Sequence, residues 1–427
     1  MTGHRTDPGS TARPPERAIL VGLEVGGVRR WQVEDHLAEL SHLARTAGAE
    51  VAGTLVQKLS SPNPAYYVGR GKAEELRLLC AREGATLAVF DDELSPAQVK
   101  NLQELTGRRV IDRTELILDI FALRARSREG RIQVELAQLR YMLPRLTRAW
   151  THLSRQEGGI GTRGPGEQQL EVDRRRIREK IRRLKERLAD VERERQTQGT
   201  RRRRREIPVA ALVGYTNAGK STLMNALTSA GVRVEDRLFA TLDPTTRVLP
   251  LPGGRKALLT DTVGFIRKLP HHLVESFKAT LDGVRQADLL LHVIDSAHPQ
   301  VEEQIQAAFR VLGEIGAGEK PCIAVFNKID LLPEEARLQR LARGFSMHAA
   351  VSALRGTGCD ALRLLVAAEL GRGLIRCRLV LPQAEAALLS RIYEEGTVFS
   401  RCYEGDCVVI TAEIPPSLAR ETAQYRA

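Results

Sequence analysis

An α/β protein of several parts is what this 427-residue sequence predicts. Three observations carry the expectation. Short apolar runs alternate with helix-like stretches in two separate regions, the pattern of βαβ units on a mainly parallel sheet. Between those regions lie two heptad-like apolar seams broken by a glycine-rich stretch. One apolar run of the second region leads straight into a phosphate-loop motif.

Composition narrows the class. Hydrophobic residues make up 42% and charged residues 28%, enough for packed cores and against a wholly disordered chain. No apolar run approaches the roughly 20 residues that cross a bilayer, so no membrane span is expected. Residues 1–16 are polar, contain Asp7 and Glu16, and read as a disordered tail rather than a signal peptide. The cysteines Cys80, Cys322, Cys359, Cys377, Cys402 and Cys407 form no C-x-x-C and no zinc pattern. Cys402 and Cys407 are close enough in sequence to pair, but reduced thiols in a cytoplasmic protein are expected. A monomer is the working expectation.

Residues 17–120 read as an N-terminal α/β domain. Ala18–Leu23, Val51–Val56, Leu87–Phe90 and Val110–Ile111 are its expected strands, with helices at His36–Arg45, Lys72–Arg82 and Pro96–Leu105. Ser95-Pro96 supplies an N-cap followed by proline at the first helical position. Gly69-Arg70-Gly71-Lys72 precedes a helix and could contact phosphate, but it is no complete phosphate loop, and an ordinary strand-to-helix turn is the plainer reading.

Residues 121–205 read as a basic antiparallel helical hairpin. Ile132, Leu136, Leu139, Leu143 and Leu146 make one seam, and Ile177, Ile181, Leu184, Leu188 and Val191 another. Gly158–Gly166 cannot be helical and should form the connecting loop, and Pro144 should kink the first helix. Arg174, Arg175, Arg178, Arg182 and Lys185 should lie on outer faces, and Arg201–Arg205 should form an exposed basic connection. The formal charge is +12. Residues 131–166 carry about +4 of it and residues 167–205 about +8, so the excess is confined to this hairpin. That is the electrostatic footprint of a polyanion-binding surface; a solvated arginine-rich helix without a partner is the plainer alternative.

Residues 206–372 hold the chemistry. The apolar strand Val209–Val213 runs into Gly214-Tyr215-Thr216-Asn217-Ala218-Gly219-Lys220-Ser221, and the helix-like Thr222–Leu227 follows. This is G-x-x-x-x-G-K-S in the strand–loop–helix setting the motif requires. Glycines let backbone N–H groups curl around phosphates, aided by the helix N-terminus. The expected phosphate contacts are Gly214, Asn217, Ala218, Gly219, Lys220, Ser221 and Thr222, with Lys220 on the β- and γ-phosphates and Ser221 on Mg2+. Asn327-Lys328-Ile329-Asp330 follows the strand Ile323–Phe326. A carboxylate at Asp330 can accept from the N1–H and exocyclic amine of guanine, donors that adenine lacks there. Asn327 should brace the loop and base, and Lys328 should lie along the ring. Ser352-Ala353 suits a final element whose Ala353 N–H reaches the guanine oxygen. Together these predict a P-loop GTPase domain with GTP as substrate.

Asp261-Thr262-Val263-Gly264 ends a strand as D-x-x-G. Asp261 suits a magnesium ligand, and Gly264 a switch hinge lending its N–H to the γ-phosphate. Thr241 is the expected magnesium-sensing threonine of the first switch, with Thr245 and Thr246 still open. The expected catalytic set is thus Lys220, Thr241, Asp261 and Gly264, with Ser221, Thr241 and Asp261 on the metal. Phe265 stands where many GTPases carry a water-orienting glutamine; either another residue or a partner completes the site, or hydrolysis is intrinsically slow, and packing of the switch by Phe265 is compatible with both. Residues 373–427 read as a small α+β domain, with strands at Ile375–Leu381, Thr397–Tyr403 and Asp406–Ala412 and a helix at Ala384–Tyr393.

At this point the residues resemble a known family, the HflX GTPases. The resemblance rests on Gly214–Ser221, Phe239-Ala240-Thr241-Leu242-Asp243-Pro244-Thr245 and Asp261–Phe265. Outside that domain it rests on Tyr67-Val68-Gly69-Arg70-Gly71-Lys72, Gln133–Arg145 and Gly161-Thr162-Arg163-Gly164-Pro165-Gly166-Glu167. It covers about Ala18 to Ala412. It implies a factor that binds the 50S subunit and the 70S ribosome, splits or rescues stalled ribosomes under stress, and has its hydrolysis stimulated there. It also implies that the loop Gly158–Glu167 meets ribosomal RNA near the peptidyl-transferase region. Arg163, Arg174, Arg175 and Arg201–Arg205 should then matter for ribosome binding. Two other readings remain open: an ATP-driven RNA remodelling enzyme using the N-terminal domain, and a signalling GTPase with a protein effector.

Overall fold

The structure, a computed structural model, describes residues 15–146, 165–203, 207–228, 239, 244–268, 283–332 and 335–427, with side chains in 165–203 described at 171–191 and 193. The expected tail lies almost wholly outside them. The chain divides into two compact units, one of residues up to Leu123 with Gln138–Arg178, the other of Arg124–Ala137 with Glu179–Ala427. The division therefore passes through both long helices of the central region.

In the first unit, β1 (Arg17–Glu24), β2 (Glu50–Lys58), β3 (Leu87–Phe90) and β4 (Arg109–Asp112) form a wholly parallel sheet in the order β2-β1-β3-β4. All four residues of β3 are buried, as a parallel strand covered on both faces must be. The crossovers are α1 (Arg30–Thr46), α2 (Arg70–Arg82) and α3 (Pro96–Thr106). Ser95 and Gln98 cap α3 reciprocally, with Pro96 in its first turn, and Gly107 ends it at φ 64°. Gly69-Arg70-Gly71-Lys72 is the turn into α2: the Gly69 N–H donates to Gln57 at 2.8 Å and Lys72 pairs with Glu75.

A helix that the sequence reading missed, α4 (Arg113–Arg124), follows β4 directly. Its cap is Asp112, the last residue of the strand, so the strand and cap signals coincide on one residue. Asp112 Oδ1 accepts from the Glu115 N–H at 3.0 Å and the Tyr141 hydroxyl at 2.8 Å. Its Oδ2 accepts from the Leu94 N–H at 3.1 Å and Arg145 at 3.0 Å. Wholly buried, this carboxylate satisfies both oxygens and ties the segment after the first long helix to the sheet.

The two central helices are α5 (Arg128–Met142) and α6 (Pro165–Arg203). Ile132, Leu136 and Leu184 of the predicted seams are buried, and Lys180 of α6 reaches Glu135 of α5 at 2.6 Å. Three expectations change. Pro144 does not kink α5, which stops at Met142, because proline disfavours helical geometry in the residue before it. Pro165 and Gly166 are helical, since proline fits a first turn whose N–H needs no intrahelical partner; residues 158–164 lie outside the described ones. The run Arg201–Arg205 is not purely a connection, because α6 continues to Arg203.

The larger sheet lies in the second unit: β5 (Val209–Gly214), β6 (Thr245–Pro250), β7 (Lys256–Asp261), β8 (Leu289–Asp295), β9 (Cys322–Asn327) and β10 (His348–Ala350). Its order is β10-β9-β8-β5-β7-β6, parallel except for β6 against β7. Around it stand α7 (Lys220–Thr228), α8 (Val301–Glu314), α9 (Glu335–Ala342) and α10 (Cys359–Leu370). One face is packed by Leu223 and Met224 of α7 with Leu362 and Val366 of α10, the other by Ala308 and Leu312 of α8. Gly214, Asp261, Asp295 and Asn327 are each the last residue of a parallel strand, so the sheet delivers all four to its carboxyl edge, where ligands of open α/β sheets bind.

The C-terminal α+β part has β11 (Ile375–Pro382), α11 (Ala386–Glu395), β12 (Thr397–Glu404), β13 (Cys407–Ile414) and α12 (Pro416–Glu421), the strands antiparallel in the order β11-β13-β12. Leu379, Leu381, Ile392, Ile410 and Leu418 form its core. All six cysteines are free thiols. Among the described residues, no helix is long and apolar enough to cross a membrane.

Candidate nucleotide site

The loop between β5 and α7 has a backbone that only its own sequence allows. Gly214 sits at φ +143°, and a Cβ there would lie 2.2 Å from the Val293 carbonyl oxygen of β8. Gly219 sits at φ +92°, and a Cβ there would meet the Asn327 amide nitrogen at 2.3 Å. Both glycines are therefore required by close approach as well as by φ. Asn217 takes the left-handed conformation at φ 62°, which asparagine tolerates better than most residues.

Lys220 opens α7 with its ammonium buried, donating to the Gly214 oxygen at 3.1 Å and the Tyr215 oxygen at 2.8 Å. Burial pushes its pKa down to about 8, against the opposing pull of Asp261. Phosphates bound beside it would restore the charged form. A complex then holds more protons than the free protein above pH 8, so affinity is complete below that pH and falls as pH rises through it. We expect the Kd for GDP to rise about fourfold between pH 7 and 8.5, below the titration of guanine itself; fluorescence titration at the two pH values checks it.

Ser221 donates its hydroxyl to Asp261 Oδ2 at 2.7 Å, and Asp261 is 1% exposed. A hydroxyl and a carboxylate so placed, with phosphate oxygens and waters to complete an octahedron, are a donor set that fits magnesium. Thr241, the expected third contributor, lies outside the described residues. Of the alternatives, Thr245 and Thr246 are both in β6, and Thr246 shares a hydrogen bond with Thr260 at 3.0 Å. Phe239, two residues before Thr241, is buried at φ 55°.

The backbone after Asp261 is laced to the loop: Phe265 N–H donates to the Gly214 oxygen at 2.9 Å, and Thr216 N–H to the Phe265 oxygen at 2.7 Å. Phe265 is 2% exposed and packs with Val213, Val284 and Leu290. Phe265 thus packs the core, which is compatible both with another residue or partner completing the site and with slow intrinsic hydrolysis.

The residues expected to recognise the base also meet. Asn327, 2% exposed, donates to the Ala218 oxygen at 2.8 Å and accepts from the Ala353 N–H at 3.0 Å. That N–H, expected to face the guanine oxygen, thus already has an acceptor inside the protein. Lys328 stands at φ 62° and places its ammonium 2.7 Å from Asp295. A hydrogen bond from Ser352 holds the Asp330 carboxyl below the usual carboxylate range, with Arg355 and Lys328 adding charge. An ionised acceptor is what two guanine N–H donors require.

Sequence reasoning missed three contributors. Asp295 ends an apolar run that was not assigned as a strand. Ser296 donates its hydroxyl to the Asn327 oxygen at 2.8 Å. Gly358, at φ +77°, packs so closely on Ala350 that a Cβ there would lie 2.1 Å from the Ala350 oxygen, and this close approach closes the loop that carries Ser352.

Comparison with known proteins gives the family of the chain. Family models match in four consecutive stretches: a GTP-binding GTPase N-terminal model at 34–122, its middle-region model at 124–203, a 50S ribosome-binding GTPase model at 209–328 and an HflX C-terminal domain model at 337–424. A GTPase HflX of Caldanaerobacter subterraneus subsp. tengcongensis is 49% identical over 94% of this chain and 92% of its own length. One of Escherichia coli (strain K12) is 47% identical over 92% and 91% respectively. A solved GTP-binding protein from Sulfolobus solfataricus in complex with GDP aligns over 83% of this chain and 98% of its own, at 26% identity and a TM-score of 0.45. With near-full-length identity approaching one half, this chain belongs to the HflX family of GTPases.

Proposed function

We propose that this GTPase acts on the large ribosomal subunit, binding it in the GTP state, splitting or rescuing stalled 70S ribosomes, and hydrolysing GTP faster when bound. The observation that carries the reading is a guanine-nucleotide site within a chain whose excess positive charge sits on one helical region. In α6, Arg175, Arg178, Lys185 and Arg187 are exposed and make no ion pair among the described residues, whereas Arg182 and Arg183 are occupied by Glu179. Unpaired cations are the ones that can exchange counterions for RNA phosphates. The description of the family model over 209–328 as a 50S ribosome-binding GTPase supports the same partner.

In this reading Lys220 neutralises the β- and γ-phosphates, and Gly264 lends its N–H to the γ-phosphate. Ser221, Asp261 and Thr241 would hold Mg2+, which would supply charge neutralisation to the phosphates. Gly214, Asn217, Ala218, Gly219 and Thr222 line the phosphate chain. Asp330 reads guanine, Lys328 lies along the ring, and Asn327, Ser352 and Ala353 hold the loop that carries them. With Phe265 packed in the core, binding to the ribosome completes the alignment of the attacking water, in a cytoplasmic, monomeric factor.

The test is GTP hydrolysis by the purified protein with and without 50S subunits. Stimulation is expected; unchanged hydrolysis would move the effector to a non-ribosomal protein. Affinity for 50S is also expected to fall about 10²-fold between 50 and 200 mM salt, as about four displaced phosphate contacts require. A flat salt response, read by co-sedimentation, counts against RNA as the contact.

A further inference from the structure

Thr216 carries a polar group that no contact among the described residues uses. The residue is 7% exposed, and its buried Oγ1 has no hydrogen-bond partner among the described residues. A buried hydroxyl in that state is destabilising, and such groups persist where another state of the molecule satisfies them. Its surroundings indicate which state. A Cβ built on Gly264 would lie 2.8 Å from Thr216 Cγ2, 2.9 Å from Thr216 Cα and 2.9 Å from Lys220 Nζ. Thr216 thus meets Lys220 and Gly264 at one point, and these are the two groups assigned above to the γ-phosphate. The Thr216 N–H to Phe265 bond fixes the threonine backbone there, while the Phe265 side chain, buried in the core, offers water nothing to bond.

We propose that the Thr216 hydroxyl is a catalytic residue of GTP hydrolysis, donating to a γ-phosphate oxygen and accepting a hydrogen bond from the attacking water. The water oxygen bonds to the γ-phosphorus as the bond to the β–γ bridging oxygen breaks, and the water proton passes to the released phosphate. Thr216 aligns the nucleophile and exchanges no atom with it. The inference rests on the site hydrolysing GTP. A wild-type protein without GTPase activity would defeat that reading before Thr216 is tested.

Thr216→Val removes the hydroxyl and keeps the shape; Thr216→Ser keeps the hydroxyl. Single-turnover GTP hydrolysis by the full chain is expected to slow about 10²-fold in Thr216→Val, with GDP affinity unchanged within about twofold. Thr216→Ser should recover most of the rate. Because the hydroxyl has no partner among the described residues, Thr216→Val should melt at the wild-type temperature or above it. Wild-type hydrolysis by Thr216→Val overturns the proposal. So does a parallel loss of GDP affinity, or a Thr216→Ser protein as slow as the valine variant, since either assigns the side chain a structural role.

Discussion

Asp330→Asn is expected to weaken GDP binding by about 10²–10⁴-fold, the loss of two hydrogen bonds to a charged acceptor at roughly 1.5–3 kcal/mol each. The carboxyl is held ionised by Ser352 and by the charges of Arg355 and Lys328, so the wild-type protein presents a full acceptor to both guanine donors. An amide keeps the size, supplies one weaker acceptor and turns an N–H towards an N–H. Xanthine has a carbonyl where guanine has its amine, so the same variant should regain affinity for xanthosine diphosphate. Fluorescence titration with both nucleotides decides it. A variant that still binds GDP within about threefold of wild type would place base recognition elsewhere.

Lys220→Ala is expected to lower the hydrolysis rate by about 10²–10³-fold, the scale of losing one preorganised charge at the developing phosphate charge. The ammonium is already desolvated and aimed by the Gly214 and Tyr215 oxygens, so it needs no reorganisation when nucleotide arrives. Affinity for GTP should fall more than affinity for GDP, because only GTP offers the γ-phosphate. Hydrolysis within about tenfold of wild type, measured at saturating GTP, would remove Lys220 from the catalytic set.

Much of this was legible because the chemistry constrains spacing. Phosphate wrapping demands Gly214 and Gly219 at fixed positions, and apolar strands must precede the functional loops, so β5, β7 and β9 could be placed from Val209–Val213, the D-x-x-G at Asp261 and Ile323–Phe326. What could not be read falls into two physical kinds. Asp112 is both the end of a strand and the cap of α4, and local propensity cannot assign one residue to two elements. Pro165 ends one pattern and starts another, so a glycine-rich run seemed to extend into what is the first turn of a helix. In the site itself, Thr216 occupies an unspecified position of the motif, where no side-chain type is required. The acceptor for Ala353 became visible only when Asn327, 26 residues away in sequence, was placed beside it.

Asn327 joins the phosphate loop at Ala218 to the base loop at Ala353 through its two amide atoms. The two half-sites are thus held at a fixed separation before any ligand is present. Ordering entropy that a hinged site would lose on association is lost here during folding, and a nucleotide anchored by its phosphates meets the guanine pocket at high effective concentration. Dissociation then requires the base and phosphate contacts to break together, which favours slow release and leaves exchange dependent on whatever loosens that single amide.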